Sequence, residues 1–389
     1  MKQRQGINNS RLKNRNRGLV LQAIACGEEV SRSDIAQRIG LTKMAVTNMV
    51  AEWIAEGVVE EQESTGHAAV GRNPVWLRPA PGAPRALGLY LSRSRATVIV
   101  ADLKLEVAYR RDCPLWEETA VSLTQKLTQL VDEALGWKTA HLPDVPLTGI
   151  GISSIGPLDA DAGVVLHPTD FFGIQQFPIV KILKERYGLP VYISNDMNAS
   201  ALAEKLYGRG RPYDNFLYLG ITNGIGSGII SGGRLYQDNS GFVGEVGHMS
   251  IDYNGPLCSC GNHGCLEVYA NMPVIQRRLR EAGIAALSQA DESAAGRDIL
   301  ADVSDKLAIA LVNMVNLLDP QCVLMGHEGS AFPDWCLQRI QETVNSRILA
   351  AGAKRLPVMR AAFGEDTPLM GSVCCIWQEL FAGHMTHKP

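Results

Sequence analysis

The residues with the clearest chemistry in this chain are three cysteines and a histidine that lie close together in the sequence. They are His248, Cys258, Cys260 and Cys265. Three thiolates and one imidazole suit tetrahedral Zn²⁺, and a full set of four protein ligands is typical of a closed, structural site. His263 is an alternative fourth ligand, but we prefer His248 because it lies outside the cysteine group and would tie that group to the loop of Glu245. The spacing therefore predicts a structural zinc knuckle, with reduced cysteines that bind no metal as the alternative.

Composition limits the class of protein. The chain has 389 residues, of which 46% are hydrophobic and 20% charged, as in ordinary globular proteins. No apolar run approaches the roughly 20 residues needed to span a bilayer, and the N-terminus lacks the apolar core of a signal peptide. The nine cysteines are an odd number and thinly spread, which indicates reduced thiols. We therefore expect a cytoplasmic protein with no membrane partner.

Two further motifs carry groups that bind polar ligands. Asn195 and Asp196 follow a strand predicted over 191–194, at the end of the strand where sites in α/β folds tend to lie. Such a pair is equally common as a helix cap. The glycine-rich segment 220–228 lies between two predicted strands, where backbone amides could cradle a phosphate or approach a ligand closely. A glycine hairpin of this kind is more often a simple turn.

Strands and helices alternate so as to place these motifs in an α/β body. The predicted strands cover 87–91, 96–103, 148–153, 191–194, 217–221, 226–231 and 322–325, and the predicted helices cover 119–135, 178–187 and 199–207. A hairpin followed by helices occurs twice, which predicts two lobes with a cleft between them. The proline-rich segment 79–84 before this body is typical of a stiff linker.

The N-terminal segment follows a different pattern, that of a helix-turn-helix. A helical apolar stripe over 17–26 is followed by a second helix that begins with the capping-box pair Ser31 and Asp34 and ends at Gly40, in a left-handed conformation. Thr42 caps a third helix. Its predicted apolar face consists of Met44, Val46, Met49, Val50, Trp53 and Ile54. This third helix is the one that would lie in a major groove.

Charge and a predicted wing favour DNA as the partner of this segment. Short strands around 58–63 and 75–77 form a hairpin wing after the helices. Residues 1–80 carry 11 basic and 8 acidic side chains, whereas residues 81–389 carry 26 and 32, so the N-terminal end is positive and suits a polyanion. The candidate DNA contacts are Thr42, Lys43, Thr47, Asn48 and, from the wing, Arg72, because an arginine there can enter a narrow minor groove. A winged helix used for dimerisation or protein contact is the alternative.

These motifs together resemble the ROK family, which joins bacterial sugar kinases with sugar-responsive transcriptional repressors. The resemblance extends over essentially the whole chain. It rests on GISSIGPLD at 151–159, SNDMNASALAE at 194–204, the 220–228 turn, GEVGH at 244–248 and the cysteine group with Glu267 just beyond it. The winged helix-turn-helix is typical of the repressor branch. The resemblance implies an α/β fold with a two-lobed, hexokinase- or actin-like (RNase H-like) body.

The resemblance also implies a sugar site. By motif position, its ligands would be Asn195, Asp196, Glu245, His248 and Glu267. Carboxylate and amide groups pair well with vicinal hydroxyls, and a sugar that lacks one hydroxyl would leave a buried group unpaired. His248 would serve twice, with one ring nitrogen on zinc and the other toward the sugar. In kinase members the aspartate of the Asn-Asp pair is the general base, and Asp196 holds that position here.

The resemblance is weakest where kinase members hold ATP. Their Asp-x-Gly-Gly-Thr-Lys turn between the first two strands is replaced by Tyr-Leu-Ser-Arg-Ser-Arg at 90–95, and a later Gly-Gly pair is replaced by Gly326 and His327. Because phosphoryl transfer depends on charge positioned around the phosphate and its metal, we expect no kinase activity, with Asp196 serving only as a sugar ligand. The two arginines of the turn are expected to be solvated or, alternatively, to bind a sugar phosphate.

The sequence therefore predicts a non-catalytic, sugar-responsive transcriptional regulator that represses carbohydrate-metabolism genes. The predicted domains are a winged helix at 1–80, a first lobe at 85–205 completed by a C-terminal helix at 370–385, and a second lobe at 206–369 with the zinc knuckle. The protein would bind operator DNA as a homodimer or a dimer of dimers. A sugar or sugar phosphate would close the lobes and change the spacing of the two DNA-binding domains. This response requires a coupling free energy between sugar binding and DNA binding of only about 1–3 kcal/mol.

Two other functions are compatible with the same residues. The first is an active ATP-dependent sugar kinase that carries a DNA-binding head, which the retained Asp196 would allow. The second is a regulator controlled by a protein partner instead of a sugar. No sequence feature speaks directly for the second.

Overall fold

The structure is a computed structural model that describes residues 9–63, 75–236 and 242–385. Its α-helices are α1 Asn9–Ala25, α2 Arg32–Ile39, α3 Lys43–Ala55, α4 Ala120–His141, α5 Ile179–Tyr187, α6 Asp196–Leu206, α7 Glu267–Ala270, α8 Met272–Glu281, α9 Ala294–Leu318, α10 Asp334–Arg347 and α11 Thr367–Phe381. Its strands are β1 Val59–Glu63, β2 Val75–Pro79, β3 Arg85–Leu91, β4 Arg95–Ala101, β5 Val107–Pro114, β6 Leu147–Ser154, β7 Leu158–Asp159, β8 Val164–Val165, β9 Val191–Asn195, β10 Phe216–Ile221, β11 Ile225–Ser231, β12 Arg234–Leu235, β13 Cys322–His327 and β14 Val358–Arg360. Within these ranges no helix is long and apolar enough to cross a membrane.

The chain forms two compact units, each with a five-stranded sheet. The first unit comprises 1–155, 162–193 and 372–389, and the second comprises 156–161 and 194–371. The strand order is β5-β4-β3-β6-β9 in the first unit and β12-β11-β10-β13-β14 in the second. In each sheet the central strand pairs antiparallel with its hairpin partner and parallel with a later strand. The predicted repetition of an α/β pattern is thereby confirmed, with the sheets mixed.

The predicted helix-turn-helix and wing are present in the first unit. Ser31 and Asp34 form the expected capping box, and Gly40 adopts the left-handed conformation with φ 69°. Strands β1 and β2 pair antiparallel as the wing, whose tip lies outside the described residues. Helix α1 begins at Asn9, earlier than the predicted 17, because its polar first half is exposed and carries no apolar stripe that periodicity would detect.

One predicted core position of the third helix is wrong. Met44 is 70% exposed, whereas Val46, Val50 and Trp53 are buried. Positions three and four residues apart share a helix face, so Met44 lies on the same side as Thr47 and Asn48, which are also exposed. Hydrophobicity alone suggested that Met44 belongs to the core, but its place on the helix puts it on the outer surface.

Helix α6 starts earlier than predicted, and it packs with a different unit than predicted. It starts at Asp196, not at 199, because the Asn195 side chain caps it by accepting hydrogen bonds from the amides of Met197 and Asn198. The predicted lobe boundary at 205/206 places this helix in the first lobe, whereas its packing groups it with the second unit. The reason is close contact with β11, where a side chain on Gly228 would meet the Met197 carbonyl oxygen at 2.3 Å.

Strand β5 was not predicted from the sequence. Its burial pattern shows mostly exposed residues, so it lacks the alternation of apolar and polar side chains that marks a half-buried strand. It joins the sheet as the outer neighbour of β4, with which it pairs antiparallel from Arg95 opposite Pro114 to Ala101 opposite Val107.

The winged helix packs against the C-terminal end of the first unit. Helix α1 approaches the end of α11 so closely that a Cβ atom on Gly18 would lie 2.2 Å from the carbonyl oxygen of Phe381. A Cβ on Gly383 would lie 2.5 Å from the carbonyl carbon of Asn14. The Lys104 ammonium group also donates to the carbonyl oxygen of Gly27. The winged helix is thus attached by packing as well as through the predicted linker at 79–84.

Replacing Gly18 with alanine is expected to destabilise the protein by about 1–3 kcal/mol, because the new methyl group would collide with backbone that cannot rotate away. This cost exceeds the gain of up to about 1 kcal/mol that alanine brings to a helix interior. Gly136→Ala in α4 is the matched control: no atom lies within 4 Å of its added Cβ, so it should stabilise by about 0.5–1 kcal/mol. Chemical denaturation measures both, and equal effects of the two substitutions would contradict the packing.

Candidate metal centre and sugar site

The cysteine group forms a tight knuckle. The Cys258 amide donates to the Asn262 carbonyl at 2.8 Å, and Gly261 turns the chain with φ 89°. Gly264, with φ 63°, approaches the Asp252 carbonyl so closely that a Cβ there would lie 1.8 Å from its oxygen. Two glycines with positive φ therefore allow the chain to reverse twice within a few residues.

The structure brings the four predicted metal ligands together. The ligand atoms of His248, Cys258, Cys260 and Cys265 all lie within 4.8 Å of one another. Cys260 Sγ is 3.7 Å from Cys265 Sγ, and Cys258 Sγ is 3.7 Å from His248 Nδ1. Zn–S bonds of about 2.3 Å and Zn–N bonds of about 2.0 Å at tetrahedral angles separate ligand atoms by about 3.5–3.8 Å. The donor set and its spacing therefore fit zinc.

The other histidine of the knuckle points elsewhere. His263 is exposed, and its Nδ1 lies 3.1 Å from the carbonyl oxygen of Gly255. Of the two alternatives that the sequence left open, His248 is the one whose ring lies among the thiols. Its contact through Nδ1 leaves Nε2 available for a second partner, as a histidine with two roles requires.

The thiols of the knuckle differ in acidity. A hydrogen bond from the backbone amide of Asn262 lowers the pKa of Cys260, whereas burial raises the pKa of Cys265 to about 12. A metal binds the thiolate and not the thiol, so binding at Cys265 must displace a proton. Zinc affinity is therefore expected to decrease as the pH falls.

The knuckle is joined directly to two of the predicted sugar ligands. Glu267 begins α7 two residues after Cys265, and its Oε2 accepts a hydrogen bond from the Ile225 amide at 3.3 Å. A Cβ on Gly224 would lie 2.9 Å from this oxygen, and one on Gly247 would lie 3.2 Å from it. Glycines on both sides thus leave room for the carboxylate. The exposed Glu245 lies at the start of the short 3-10 helix Val246–His248.

Asn195 and Asp196 form the N-terminal cap of α6. Asn195 Oδ1 accepts from the amides of Met197 and Asn198 at 2.9 and 3.4 Å, so the amide nitrogen of this side chain takes no part in the cap. Asp196 is only 6% exposed, and its Oδ1 accepts from the Met197 amide at 2.9 Å. Its Oδ2 lies 4.0 Å from His327 Nε2. The pair is therefore a helix cap that also holds a buried carboxylate.

The 220–228 glycines serve packing. A Cβ on Gly220 would lie 2.2 Å from Met197 Sδ, and one on Gly226 would lie 2.7 Å from Met197 Cγ. The glycines of β10 and β11 thus accommodate the first turn of α6, which carries Asp196. This explains the glycine-rich turn without a phosphate, and it shows that Met197, which the sequence did not single out, sets the position of that helix.

The turn at 92–95 lies in the first unit and is closed by its own hydrogen bonds. The Ser92 amide donates to the Arg95 carbonyl at 2.9 Å, and the Arg95 amide donates to Ser92 Oγ at 3.1 Å. Arg93 donates through Nε to the carbonyl oxygen of Thr169 at 2.8 Å, so it is not simply solvated. Tyr90, at the end of β3 just before this turn, is buried.

The predicted DNA contacts lie on the outer surface of α3, apart from Arg72, which lies outside the described residues. Thr42 is the helix cap, accepting from the Ala45 amide at 3.2 Å, and Thr47 donates its hydroxyl proton to the Lys43 carbonyl at 2.8 Å. Both hydroxyls keep an acceptor lone pair. Sequence reasoning missed Met44, whose exposed apolar side chain lies on this same surface.

Comparison with known proteins gives a consistent result. Residues 86–379 match the family described as the ROK family. The chain is 30% identical to the xylose repressor of Bacillus subtilis (strain 168), over 92% of this chain and 93% of that protein. It is 29% identical to the putative xylose repressor of Caldicellulosiruptor sp. (strain Rt8B.4), over 96% and 98%, and 27% identical to the DNA-binding transcriptional repressor Mlc of Escherichia coli (strain K12), over 93% and 92%.

Solved structures agree with these sequence matches. A ROK family transcriptional regulator described as a homologue of the E. coli Mlc protein is similar over 96% of this chain and 98% of its own, with a TM-score of 0.81 and 25% identity. The ROK hexokinase of Thermus thermophilus is similar over 76% of this chain and 98% of its own, with a TM-score of 0.65 and 28% identity.

Proposed function

This chain belongs to the ROK family, and from that premise we propose that it is a sugar-responsive transcriptional repressor of carbohydrate-metabolism genes. The observation that carries the proposal is the extent of similarity. The named repressors and the transcriptional regulator align with 92–96% of the chain, whereas the hexokinase aligns with 76% of it. The winged helix in front of residue 86 supports the same conclusion.

The DNA-binding surface is the exposed face of α3 together with the wing. We propose base and phosphate contacts from Thr42, Lys43, Met44, Thr47, Asn48 and Arg72. A helix-turn-helix contacts one half-site of an operator. A repressor with two such domains would therefore bind a palindrome whose half-sites lie about one helical turn apart. The protein is therefore proposed to act as a homodimer or a dimer of dimers.

The proposed effector site consists of polar side chains of the second unit. We propose that a sugar or sugar phosphate is held by Asn195, Asp196, Glu245, His248 and Glu267. Support comes from the buried Asp196 carboxylate and from the glycine-lined room around the Glu267 carboxylate. Zn²⁺ held by the knuckle would stabilise the segment that carries Glu267, and its binding energy would add to folding energy.

The proposal treats the protein as non-catalytic. The two amides at the ends of the 92–95 turn are used in closing that turn, and His327 occupies the second glycine position of kinase members. The retained Asp196 keeps an ATP-dependent sugar kinase as the second candidate. ATP-dependent phosphorylation of a sugar, lost in Asp196→Asn, would establish that candidate.

The function is tested by capturing genomic DNA fragments on the purified full-length protein, with and without xylose, glucose, N-acetylglucosamine and their phosphates. We expect a few palindromic sites to be enriched and to be released by one of these compounds. Enrichment that no compound alters would contradict the sugar response. Absence of enrichment under both conditions would contradict DNA binding.

Lys43→Gln is expected to weaken binding to the captured operator about tenfold at low salt and to lower the salt dependence by about one phosphate contact, because it removes a positive charge at the start of α3. Fluorescence anisotropy over a salt series measures both. Lys181→Gln is the matched control, since this exposed lysine lies on α5, away from the winged helix. Equal affinities of the two variants would place the DNA elsewhere.

A further inference from the structure

Helix α11 belongs to both compact units. Its residues 367–371 lie in the second unit, and its residues 372–381 lie in the first. Its 15 residues extend about 22 Å at about 1.5 Å per residue. Buried side chains along the helix fix it among its neighbours; they include Leu369, Val373, Ile376, Trp377 and Leu380. A rigid helix that is packed in this way can carry a displacement from one end to the other.

The first end of α11 packs against α6, the helix of the proposed effector site. A Cβ atom on Gly371 would lie 2.4 Å from the carbonyl carbon of Ala199 and 2.4 Å from its oxygen. Ala199 lies in the first turn of α6, three residues after Asp196. The backbones of the two helices therefore approach each other closely next to the residue that is proposed to hold the sugar.

Glu204 forms a second connection between α6 and the start of α11. Its side chain is fully buried. One carboxyl oxygen accepts the amide N–H of Ala362 at 2.6 Å, and the other accepts that of Arg209 at 2.8 Å. Ala362 belongs to the short segment 361–366 that leads into α11. Because a buried carboxyl group that loses its hydrogen bonds is costly, the last turn of α6 holds the chain that enters α11.

The other end of α11 packs against α1, the first helix of the winged helix-turn-helix. A Cβ on Gly18 would lie 2.2 Å from the carbonyl oxygen of Phe381, and one on Gly383 would lie 2.5 Å from the carbonyl carbon of Asn14. Glycine is needed at both positions because the two backbones leave no room for a side chain. A displacement of α11 must therefore reach α1.

The turn between β4 and β5 touches both α11 and the winged helix-turn-helix. Trp377 of α11 is buried, and its ring N–H donates to the carbonyl oxygen of Asp102 at 3.2 Å. Two residues further along this turn, the Lys104 ammonium group donates to the carbonyl oxygen of Gly27, just after α1. The winged helix-turn-helix is thus held at two places, one on α11 itself and one on a turn that α11 contacts.

We propose that α11 transmits the response to a bound sugar from α6 to α1, with Glu204 as a positioning residue at one end and Gly18 as the contact at the other. This role rests on the proposed function, since it presumes a sugar effector and an operator. A sugar bound at the start of α6 would favour one of two positions of that helix, and α11 would carry the change to the winged helix-turn-helix. The change in operator affinity cannot exceed the difference in sugar affinity between the two positions.

The test measures how much a bound sugar changes operator affinity. The sugar is whichever of xylose, glucose, N-acetylglucosamine and their phosphates releases the captured operator, and fluorescence anisotropy gives the operator Kd with and without a saturating amount of it. In wild type we expect the Kd to rise at least about tenfold. In Glu204→Gln and in Gly18→Ala the rise should fall below about threefold, because each substitution disturbs one end of α11. The amide nitrogen of glutamine would face a backbone N–H, and alanine would collide with Phe381.

A loss of coupling differs from a loss of folding or of binding. Both variants should bind the sugar, and the operator without sugar, within about threefold of wild type. By linkage, the operator must change sugar affinity by the same factor as the sugar changes operator affinity, which calorimetry checks. The matched controls are Glu281→Gln, at an exposed position of α8, and Gly136→Ala on α4, where no atom lies within 4 Å of the added Cβ. Both controls should keep the full response.

Hydrogen–deuterium exchange of the wild-type protein tests the same role without a substitution. Adding the sugar in the absence of DNA should change amide exchange in α6, α11 and α1 and leave α4 unchanged. A change confined to α6 would overturn the role of α11, as would a full response in both Glu204→Gln and Gly18→Ala. In either case the proposed function would stand. If no compound alters the operator affinity of wild type, the proposed sugar response and the role of α11 both fail.

Discussion

Replacing Cys260 with serine is expected to release zinc and to lower the free energy of unfolding by more than about 4 kcal/mol. The size of the change in unfolding free energy distinguishes thiols that bind a metal from thiols that bind none. The Cys260 side chain is exposed, and without a metal its replacement would change stability by less than about 0.5 kcal/mol. Metal analysis and chemical denaturation of the purified protein measure the two quantities. Wild type should contain one zinc ion per chain.

Cys113→Ser is the matched control for this experiment. Cys113 is a partly exposed free cysteine in β5 of the first unit, so its replacement should alter neither zinc content nor stability appreciably. Cys260→Ser should also abolish the sugar response, because Glu267 follows the knuckle directly. Unchanged sugar affinity in Cys260→Ser would separate the metal from the effector site, and unchanged stability would contradict the zinc proposal itself.

Asp196→Asn is expected to weaken sugar binding by about 10- to 100-fold and to leave operator binding intact when no sugar is present. Hydrogen bonds to a charged group contribute about 1.5–3 kcal/mol, and the substitution removes that charge from a buried position. Asparagine keeps Oδ1 as the acceptor for the Met197 amide, so α6 should remain capped.

We expect the Asp196→Asn variant to be a repressor that sugar no longer releases from its operator. Operator affinity measured by fluorescence anisotropy during a sugar titration gives both quantities in one experiment. Asp298→Asn, at an exposed position of α9, is the control for loss of one negative charge. Release of the Asp196→Asn variant at the same sugar concentration as wild type would place the effector outside the proposed site.

The grouping of His248 with three cysteines, the winged helix and most strands could be predicted because their signals are local. Three cysteines within eight residues identify a metal site by donor type, and the Ser31–Asp34 capping box with Gly40 marks the ends of α2. In the second unit, local sequence patterns did not predict which segments pack together. The sequence indicated a turn at 220–228 whose amides could also cradle a phosphate or approach a ligand. The turn is present between β10 and β11, but only the tertiary structure shows that Gly220, Gly226 and Gly228 provide space for Met197 of α6.

The sequence by itself determined which chemical groups this protein has and in which local elements they lie, because donor types, caps and hairpins depend on residues close together in the chain. Only the tertiary structure decided which groups meet. His327 and Tyr218 are separated by 109 positions, and Asp196 lies further still from His327. Met44 is exposed and Gly18 is buried for the same reason, since the packing of other segments determines which face of each helix is covered. A sequence pattern within one segment does not show which distant segment it will contact.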